Sequence, residues 1–265
     1  MIDHLWMATL AGLGLSLLLM TLVWLGSLWW RDASLVDRFW GFGFVLVAAF
    51  WWLTGPRPEA GWLALLLVSL WGLRLSLWLT WRNWGQGEDA RYRAMREHHG
   101  KAFAWRSLAT VFGLQGLILW LVAWPLLVAT RELETGMLWS APAMVGLALF
   151  ATGLFFEATG DWQLARFKSD PANRGRVMDQ GLWRYTRHPN YFGDMLVWWG
   201  LFGLAAAAGA WWTVIAPLLM SFLLARVSGV TLLERHLQET RPDYREYVAR
   251  TSALIPWPPR RPGSD

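Results

Sequence analysis

The chain contains no cysteine. This absence excludes disulfide bonds, thiolate metal sites, iron–sulfur clusters and a cysteine nucleophile, and it carries no information about compartment. Charged residues are also scarce, at 16% of 265 residues, whereas hydrophobic residues make up 55% and tryptophan occurs 23 times. Long uncharged apolar segments at this density are typical of a polytopic membrane protein.

Several common site signatures are missing as well. No Gly-x-Gly-x-x-Gly follows a strand pattern, and no Walker loop, Ser–His–Asp pattern or metal-ligand spacing occurs. His98 and His99 are adjacent, so they do not face each other on a helix. We therefore expect neither a soluble nucleotide-binding fold nor a metal site. The net charge of +5 does not indicate nucleic acid, because the basic residues lie between apolar runs and reflect membrane orientation instead.

Seven apolar runs are candidates for transmembrane helices. They are Leu5–Trp30, Phe39–Thr54, Trp62–Trp81, Leu108–Ala129, Met137–Phe156, Tyr191–Ala208 and Trp211–Ser228. The first is longer than a signal-peptide core and has no evident cleavage site, so we interpret it as a retained helix. Only Gly209 and Ala210 separate the last two runs, which predicts a tight helical hairpin.

The distribution of basic residues predicts the orientation. Of 24 lysines and arginines, 21 fall on alternate loops, which predicts an external N-terminus and a cytoplasmic C-terminus. Merging the last two runs would place the basic tail on the wrong side, whereas a re-entrant last hairpin fits the charges equally well. We expect an all-α domain over residues 1–258 with seven transmembrane helices in a bacterial inner membrane. The Pro-rich segment 259–265 is expected to be a disordered tail.

The densest polar cluster is RYTRHPNYFGD, Arg184–Asp194, which ends where the sixth apolar run begins. Polar groups at a membrane mouth are costly unless they are paired, so such a cluster is a candidate functional site. The alternative is an interfacial collar of arginines on lipid phosphates and tyrosines in the aromatic belt. A collar, however, requires neither Asn190 nor Asp194, which lie one turn apart.

A second polar region comprises the start of the second run and the segment after the third. Asp37 is either a helix cap or a proton donor or hydrogen-bond partner for a buried substrate carbonyl. Arg91, Tyr92 and Arg96 suit phosphate binding and stacking on a flat ring. The alternative for these arginines is attraction to anionic lipid, which the neighbouring acids Glu88 and Asp89 oppose.

Two further segments continue this pattern. Asp161 and Lys168 extend the fifth run as a helix, which the Asp-Pro pair at 170–171 is expected to end. The segment Leu232–Trp257 has helical spacing with Arg235 and His236 near the membrane, and it is equally consistent with an interfacial helix. The four segments together suit a polyanionic, ring-bearing cofactor whose phosphates are held by arginines.

Four ordered motifs resemble a known family. GLWRYTRHPNYFGD, DYREYVARTSALIPW, DRFWGFG and EDARYRAMR resemble the C-terminal domain of steroid 5-alpha-reductases, in particular a bacterial branch of that family. The resemblance covers about Ser34–Pro258. The Arg-His-Pro-x-Tyr element alone is shared with isoprenylcysteine carboxyl methyltransferases, so the combination of motifs carries the resemblance.

The resemblance implies a seven-helix, NADPH-dependent 3-oxo-5-alpha-steroid 4-dehydrogenase-like oxidoreductase. Its substrate would be a 3-oxo-Δ4 steroid or a similar apolar enone that enters from the bilayer. The Gln-Glu pair that holds the substrate ketone in animal members is missing, so Asp37 with Tyr92 is the nearest catalytic substitute. Taken with the reasoning above, the cofactor-binding candidates are Arg91, Arg96, Asp161, Lys168, Arg184, Tyr185, His188, Asn190, Tyr191, Asp194, Arg235, His236 and Tyr247.

Two alternatives of other classes remain. An S-adenosylmethionine-dependent membrane methyltransferase would need fewer arginines, because that cofactor carries no phosphate. A transporter or lipid-binding scaffold would place ionisable residues near the middle of several spans. Only Arg74, with the polar Gln115 as a companion, is placed in this way.

Overall fold

A computed structural model of the chain describes residues 2–227 and 243–260. Within these residues the fold is all-helical, as predicted, and the only β-type pairing described is an isolated parallel bridge between Thr186 and Ser252. Arg235 and His236 lie outside the described residues. The α-helices are α1 (Ile2–Trp30), α2 (Leu35–Thr54), α3 (Gly61–Arg82), α4 (Ala90–His99), α5 (Phe103–Ser107), α6 (Leu114–Val122), α7 (Trp124–Glu132), α8 (Ala141–Ser169), α9 (Pro189–Ala207), α10 (Ile215–Phe222) and α11 (Asp243–Arg250).

Five stretches of helix in the described part of the chain are long and apolar enough to cross a membrane. They are Leu5–Trp30, Leu35–Thr54, Gly61–Arg82, Ala90–Val122 and Ala141–Ser169. A shorter apolar stretch covers Trp211–Arg226. Since about 20 apolar residues suffice to span a bilayer, these helices indicate an integral membrane protein. The number of seven spans and their orientation remain predictions.

The fourth predicted span, Leu108–Ala129, is corrected by the structure. It begins as a π-helical segment, Leu108–Gly113, continues as α6, and is interrupted at Ala123 before α7 begins. Pro125 lies in the first turn of α7. A proline has no backbone N–H and its ring clashes with the preceding turn, so it fits a helix start and not a helix interior.

Other boundaries agree more closely with the sequence. The fifth predicted span continues as α8 to Ser169, and the Asp170 side chain then caps the next turn by accepting a hydrogen bond of 2.9 Å from the Ala172 N–H. The second span begins at Leu35, four residues before its predicted start at Phe39. This earlier start places Asp37 within the first turn of α2.

The described chain forms two compact units. The first comprises residues 1–141 and 204–216, and the second comprises 142–203 and 217–265. In the first unit, α2 and α3 meet through Gly41 and Gly72, where a Cβ on either residue would lie 2.5 Å from the other's carbonyl oxygen. The Phe42 N–H donates to the Ser76 hydroxyl beside this contact, at 2.8 Å. The start of α2 is thereby fixed against α3.

The second unit contains a glycine seam between α8 and α9. A Cβ on Gly153 would lie 2.5 Å from the Gly193 carbonyl oxygen, and one on Gly200 would lie 2.7 Å from the Gly146 carbonyl oxygen. Small residues let membrane helices approach until their backbones touch. Because the helices run antiparallel, the last turns of α8 lie beside the first turn of α9, where the RYTRHPNYFGD cluster ends.

Candidate functional site

In the first unit, Asp37 joins α2 to α4. Its carboxylate accepts a hydrogen bond of 2.9 Å from the buried Tyr92 hydroxyl and an ion-paired bond of 3.1 Å from Arg91. Arg91 also contacts Asp89 at 3.0 Å, and its side chain is 52% exposed. The structure therefore brings together the two residues that the sequence analysis selected as a catalytic pair. Their role in catalysis stays a prediction.

A second carboxylate in this unit holds the α3–α4 connection in place. Glu88 accepts two hydrogen bonds from Arg96, at 2.9 and 2.7 Å, and one of 2.8 Å from the Ala33 N–H. Burial alone would raise the pKa of Glu88, but the hydrogen bonds from Arg96 and Ala33 outweigh it and lower the pKa below its ordinary value. The Arg96 guanidinium also lies 4.6 Å above the centre of the Phe103 ring.

These ion pairs bear on the phosphate-binding prediction for Arg91 and Arg96. Both guanidiniums already lie against carboxylates of their own unit. A phosphate would have to compete with those acids for the same donors. A role for the two arginines as cofactor ligands stays a prediction. Their ion pairs link α4 to α2 and to the α3–α4 connection.

In the second unit, the glycine seam brings two predicted site residues together. The Asn190 amide donates a hydrogen bond of 3.3 Å to the Asp161 carboxylate, which is 6% exposed. Gly160 lies against Pro189, because a Cβ there would meet the proline ring at 3.1 Å. The close backbone approach at this point is what allows two short side chains to reach each other.

Three more predicted residues lie just before α9 and in its first turns. His188 is buried and stacks on Tyr191, with ring centroids 5.3 Å apart and planes tilted by only 4°. Asp194 is buried one turn later, at 8% exposure. Residues 186–189 at the centre of the RYTRHPNYFGD cluster are therefore internal, whereas Arg184 and Tyr185 at its start are exposed.

Long-range hydrogen bonds fix the segment that precedes α9. The buried Arg187 side chain donates to the carbonyl oxygens of Val248, at 3.1 Å, and of Thr251, while its backbone N–H donates to the Ser252 carbonyl at 2.9 Å. The Thr186 hydroxyl donates to the Leu254 carbonyl at 2.8 Å. The C-terminal segment is thus tied to the polar cluster.

Two aromatic residues connect this segment to α8. The Tyr247 hydroxyl donates to the Trp183 carbonyl, and the Trp183 indole donates to the Gly160 carbonyl at 3.0 Å. Burial raises the pKa of the Tyr247 phenol well above its ordinary range, so this group stays a neutral donor. Through these hydrogen bonds, Tyr247 and Trp183 join the C-terminal segment to α8.

A cavity of about 570 Å³ lies within the second unit, inside the range of about 300–1,000 Å³ that small-molecule sites occupy. Its lining combines cations with aromatic rings and one acid, Asp170. The cations are Lys168, Arg174, Arg176 and Arg187, and the rings are Phe167, Trp183, His188, Tyr244 and Tyr247. Such a lining suits a ligand with several phosphates and a flat ring.

Sequence reasoning selected only part of this lining. Lys168, His188 and Tyr247 were predicted as cofactor ligands, whereas Arg174, Arg176 and Arg187 were not. The sequence carried a local signal for two of these arginines, because Arg174 and Arg176 flank Gly175 and glycine is typical of turns. In the structure Gly175 has a φ of 83°. The burial of Arg187 depends on contacts more than 60 residues away in the chain, and no local pattern indicates it.

Arg184 and Tyr185 do not line this cavity. Arg184 lies at a second cavity of the same unit, and Tyr185 is 44% exposed, with its carbonyl accepting a 2.9 Å hydrogen bond from the Trp257 N–H. Across residues 2–227 and 243–260, no three His, Asp or Glu side chains converge in a way that would hold a metal ion. Cofactor roles for Arg184 and Tyr185 stay predictions.

Comparison with known proteins corrects the family assignment. The chain is 29% identical over 276 residues to an uncharacterised protein of Schizosaccharomyces pombe, covering 92% of this chain and 78% of that one. No solved structure matches. The model of the family described as "Protein of unknown function (DUF1295)" matches residues 23–251, and this match overturns the assignment to the steroid 5-alpha-reductase family that the motifs implied. The chain belongs to the DUF1295 family, whose function is unknown.

Proposed function

We propose that the protein is an integral membrane reductase that uses NADPH to saturate the carbon–carbon double bond of an apolar enone, such as a 3-oxo-Δ4 steroid. The observation that carries the proposal is the basic, aromatic cavity of the second unit. Four cations and a set of aromatic rings surround a space of about 570 Å³, which is large enough for much of a dinucleotide.

The charge of this cavity favours NADPH over other cofactors. NADPH carries a pyrophosphate and a further phosphate on the adenosine ribose. Lys168, Arg174 and Arg176 are exposed cations of the lining, and the buried Arg187 is held by backbone carbonyl oxygens. S-adenosylmethionine has a sulfonium and no phosphate, so the cations among the described lining residues would repel its reactive centre. The methyltransferase alternative is therefore less consistent with this site.

The reaction class follows from what the nicotinamide supplies when it is bound, which is a hydride. A hydride added to the β-carbon of an enone would leave negative charge on the ketone oxygen, and a proton at the α-carbon would complete the reduction. A phenol has a single O–H, and in the structure the Tyr92 hydroxyl donates it to Asp37 at 2.9 Å. When Asp37 is protonated, its carboxyl O–H can donate to the phenol oxygen, and the Tyr92 O–H is then a pre-oriented donor of the kind that stabilises such an oxygen. We propose that this hydroxyl donates a hydrogen bond to the ketone oxygen of the substrate.

The proposed topology matches this chemistry. Seven spans with a cytoplasmic C-terminus in a bacterial inner membrane would expose the cavity-lining arginines after α8 to the cytoplasm, where NADPH is found. An apolar substrate would enter from the bilayer. Because the chain has no cysteine, single cysteines at Ala172 and at Gly136 can be labelled in intact cells with an impermeant maleimide. Labelling at Gly136 and protection at Ala172 is expected, and the reverse pattern would refute the orientation.

The test of function uses the cavity arginines. Arg174→Gln/Arg176→Gln should raise the KM for NADPH by at least about tenfold, which corresponds to one or two lost charge-assisted contacts, and should change kcat much less. Arg166→Gln/Arg245→Gln, which removes two exposed arginines that do not line the cavity, is the matched control. The assay follows NADPH consumption with a 3-oxo-Δ4 steroid and with simpler enones. Equal KM values in Arg174→Gln/Arg176→Gln and in the control would refute the cavity as the cofactor site.

A further inference from the structure

We propose that a second cavity in the second unit binds the headgroup phosphate of an anionic phospholipid, such as phosphatidylglycerol. This cavity, of about 490 Å³, is lined by Arg184, Arg250, Arg260 and a single acid, Asp179. The inference does not rest on the proposed reductase function, because it concerns a different cavity with its own set of charges.

The charges of this cavity do not cancel. Asp179 pairs with Arg250. Within the described part of the chain, neither Arg184 nor Arg260 has a carboxylate within ion-pair distance. Among the described residues, these two guanidiniums therefore line the cavity with no carboxylate paired to them. Planar guanidinium groups bind phosphate oxygens through paired hydrogen bonds more favourably than other cationic side chains do.

Backbone hydrogen bonds hold the three arginine-bearing segments together. The Arg260 N–H donates to the Arg250 carbonyl, and the Trp257 N–H donates to the Tyr185 carbonyl, both at 2.9 Å. The segment that carries Arg184 is therefore tied to the segment between Arg250 and Arg260. A preformed arrangement of donors lowers the ordering cost of binding, which favours a specific phosphate contact over a loose surface attraction.

Neighbouring apolar side chains favour a lipid over a soluble anion. Ile255 and Trp257 lie between Arg250 and Arg260 in the sequence, and their exposed fractions are 63% and 69%. Arg184 lies five residues before the start of α9, so one of the cavity's arginines closely precedes an apolar helix in the sequence. Exposed tryptophan beside clustered arginine is the arrangement that proteins place at the interface of an anionic leaflet.

The test measures lipid retention by the full-length protein. Purified protein is equilibrated with mixed micelles of phosphatidylglycerol and phosphatidylcholine, and bound lipid is counted by native mass spectrometry. The wild type should retain phosphatidylglycerol in preference. Arg184→Gln/Arg260→Gln should lower that retention by about tenfold or more, since each juxtamembrane arginine contributes about 1 kcal/mol to anionic lipid binding. Arg166→Gln/Arg245→Gln, which removes the same charge from exposed positions outside this cavity, should retain it.

A change of opposite sign sharpens the test. Asp179→Asn removes the one acid found in this lining among the described residues and releases Arg250, so it should increase phosphatidylglycerol retention. Equal retention in the Arg184/Arg260 and control variants would overturn the proposal. So would displacement of the lipid by inorganic phosphate or by NADPH, because the cavity would then belong to a soluble anion. A thermal melt of each variant confirms that a loss of lipid is not a loss of fold.

Discussion

The Tyr92 hydroxyl donates a hydrogen bond of 2.9 Å to the Asp37 carboxylate, which lies 55 residues earlier in the chain. If this pair holds the substrate ketone, Tyr92→Phe should lower kcat by about 10²-fold, as loss of one donor at a developing oxyanion does in other enzymes. NADPH binding should be retained, because the cofactor contacts proposed above lie on other residues.

The control for that prediction is Tyr244→Phe, which keeps a buried ring in place and removes a hydroxyl from the lining of the larger cavity. Its effect should be mainly on the KM for NADPH. A Tyr92→Phe enzyme that turns over the enone at the wild-type rate would show that the Asp37–Tyr92 pair is structural.

Asn190 and Asp194 give a second prediction. Asn190→Ala removes the amide that bonds to Asp161 at 3.3 Å, and Asp194→Ala removes a buried carboxylate one turn along α9. Both variants should abolish turnover while the helical circular dichroism of the purified protein stays unchanged. Neither residue lines the larger cavity, so wild-type activity in both variants would show that they contact neither cofactor nor substrate.

The glycine seam predicts a stability effect. A Cβ at Gly193 would lie 2.4 Å from the Glu157 backbone nitrogen, so Gly193→Ala must push α9 away from α8. Overpacking of this kind costs about 1–3 kcal/mol, and the melting temperature in detergent should fall. Gly14→Ala is the control, because nothing lies within 4 Å of a Cβ at that position. A melting temperature of Gly193→Ala equal to that of Gly14→Ala would mean that α8 and α9 can move apart with no loss of stability.

Glu88 predicts a pH dependence of stability. Its folded-state pKa lies below the ordinary glutamate value of 4.5, so its ion pair stabilises the fold above that value and is lost as the pH falls through the lower folded pKa. Glu88→Gln should therefore melt below the wild type at neutral pH, by an amount equivalent to about 1–3 kcal/mol. The gap should close below pH 4.5. If the difference in melting temperature between Glu88→Gln and the wild type stays constant below pH 4.5, the shape of the Glu88 side chain, and not its charge, makes its contact with Arg96 important.

The sequence predicts the helices well where a single residue decides the outcome. Asp170 with Pro171 marks the end of α8, and long apolar runs mark α1 and α3, although α3 contains Arg74. Pro125 carried an equally clear signal against a continuous fourth span, but the surrounding apolar residues outweighed it in the pattern. Apolar character measures suitability for the membrane and does not measure whether each backbone N–H can bond.

The site is predicted less completely, for a physical reason. The seven-residue spacing of Gly146, Gly153 and Gly160 is a sequence signal for a helix contact surface that the sequence analysis did not use. This spacing does not indicate which helix would meet that surface. Arg187 becomes part of a cavity wall only because residues 248–252 fold back against it. Residue type and local spacing identify candidates for chemistry, whereas their assembly depends on contacts distant in sequence.

The measurement that tests the account most directly is cofactor binding by the purified wild-type protein. Its melting temperature is compared with NADPH, NADH and S-adenosylmethionine, since a ligand that binds only the folded state raises this temperature as its concentration exceeds its dissociation constant. We expect stabilisation by NADPH, much less by NADH, and none by S-adenosylmethionine. Stabilisation by S-adenosylmethionine alone, or by none of the three, would contradict the proposed reductase function.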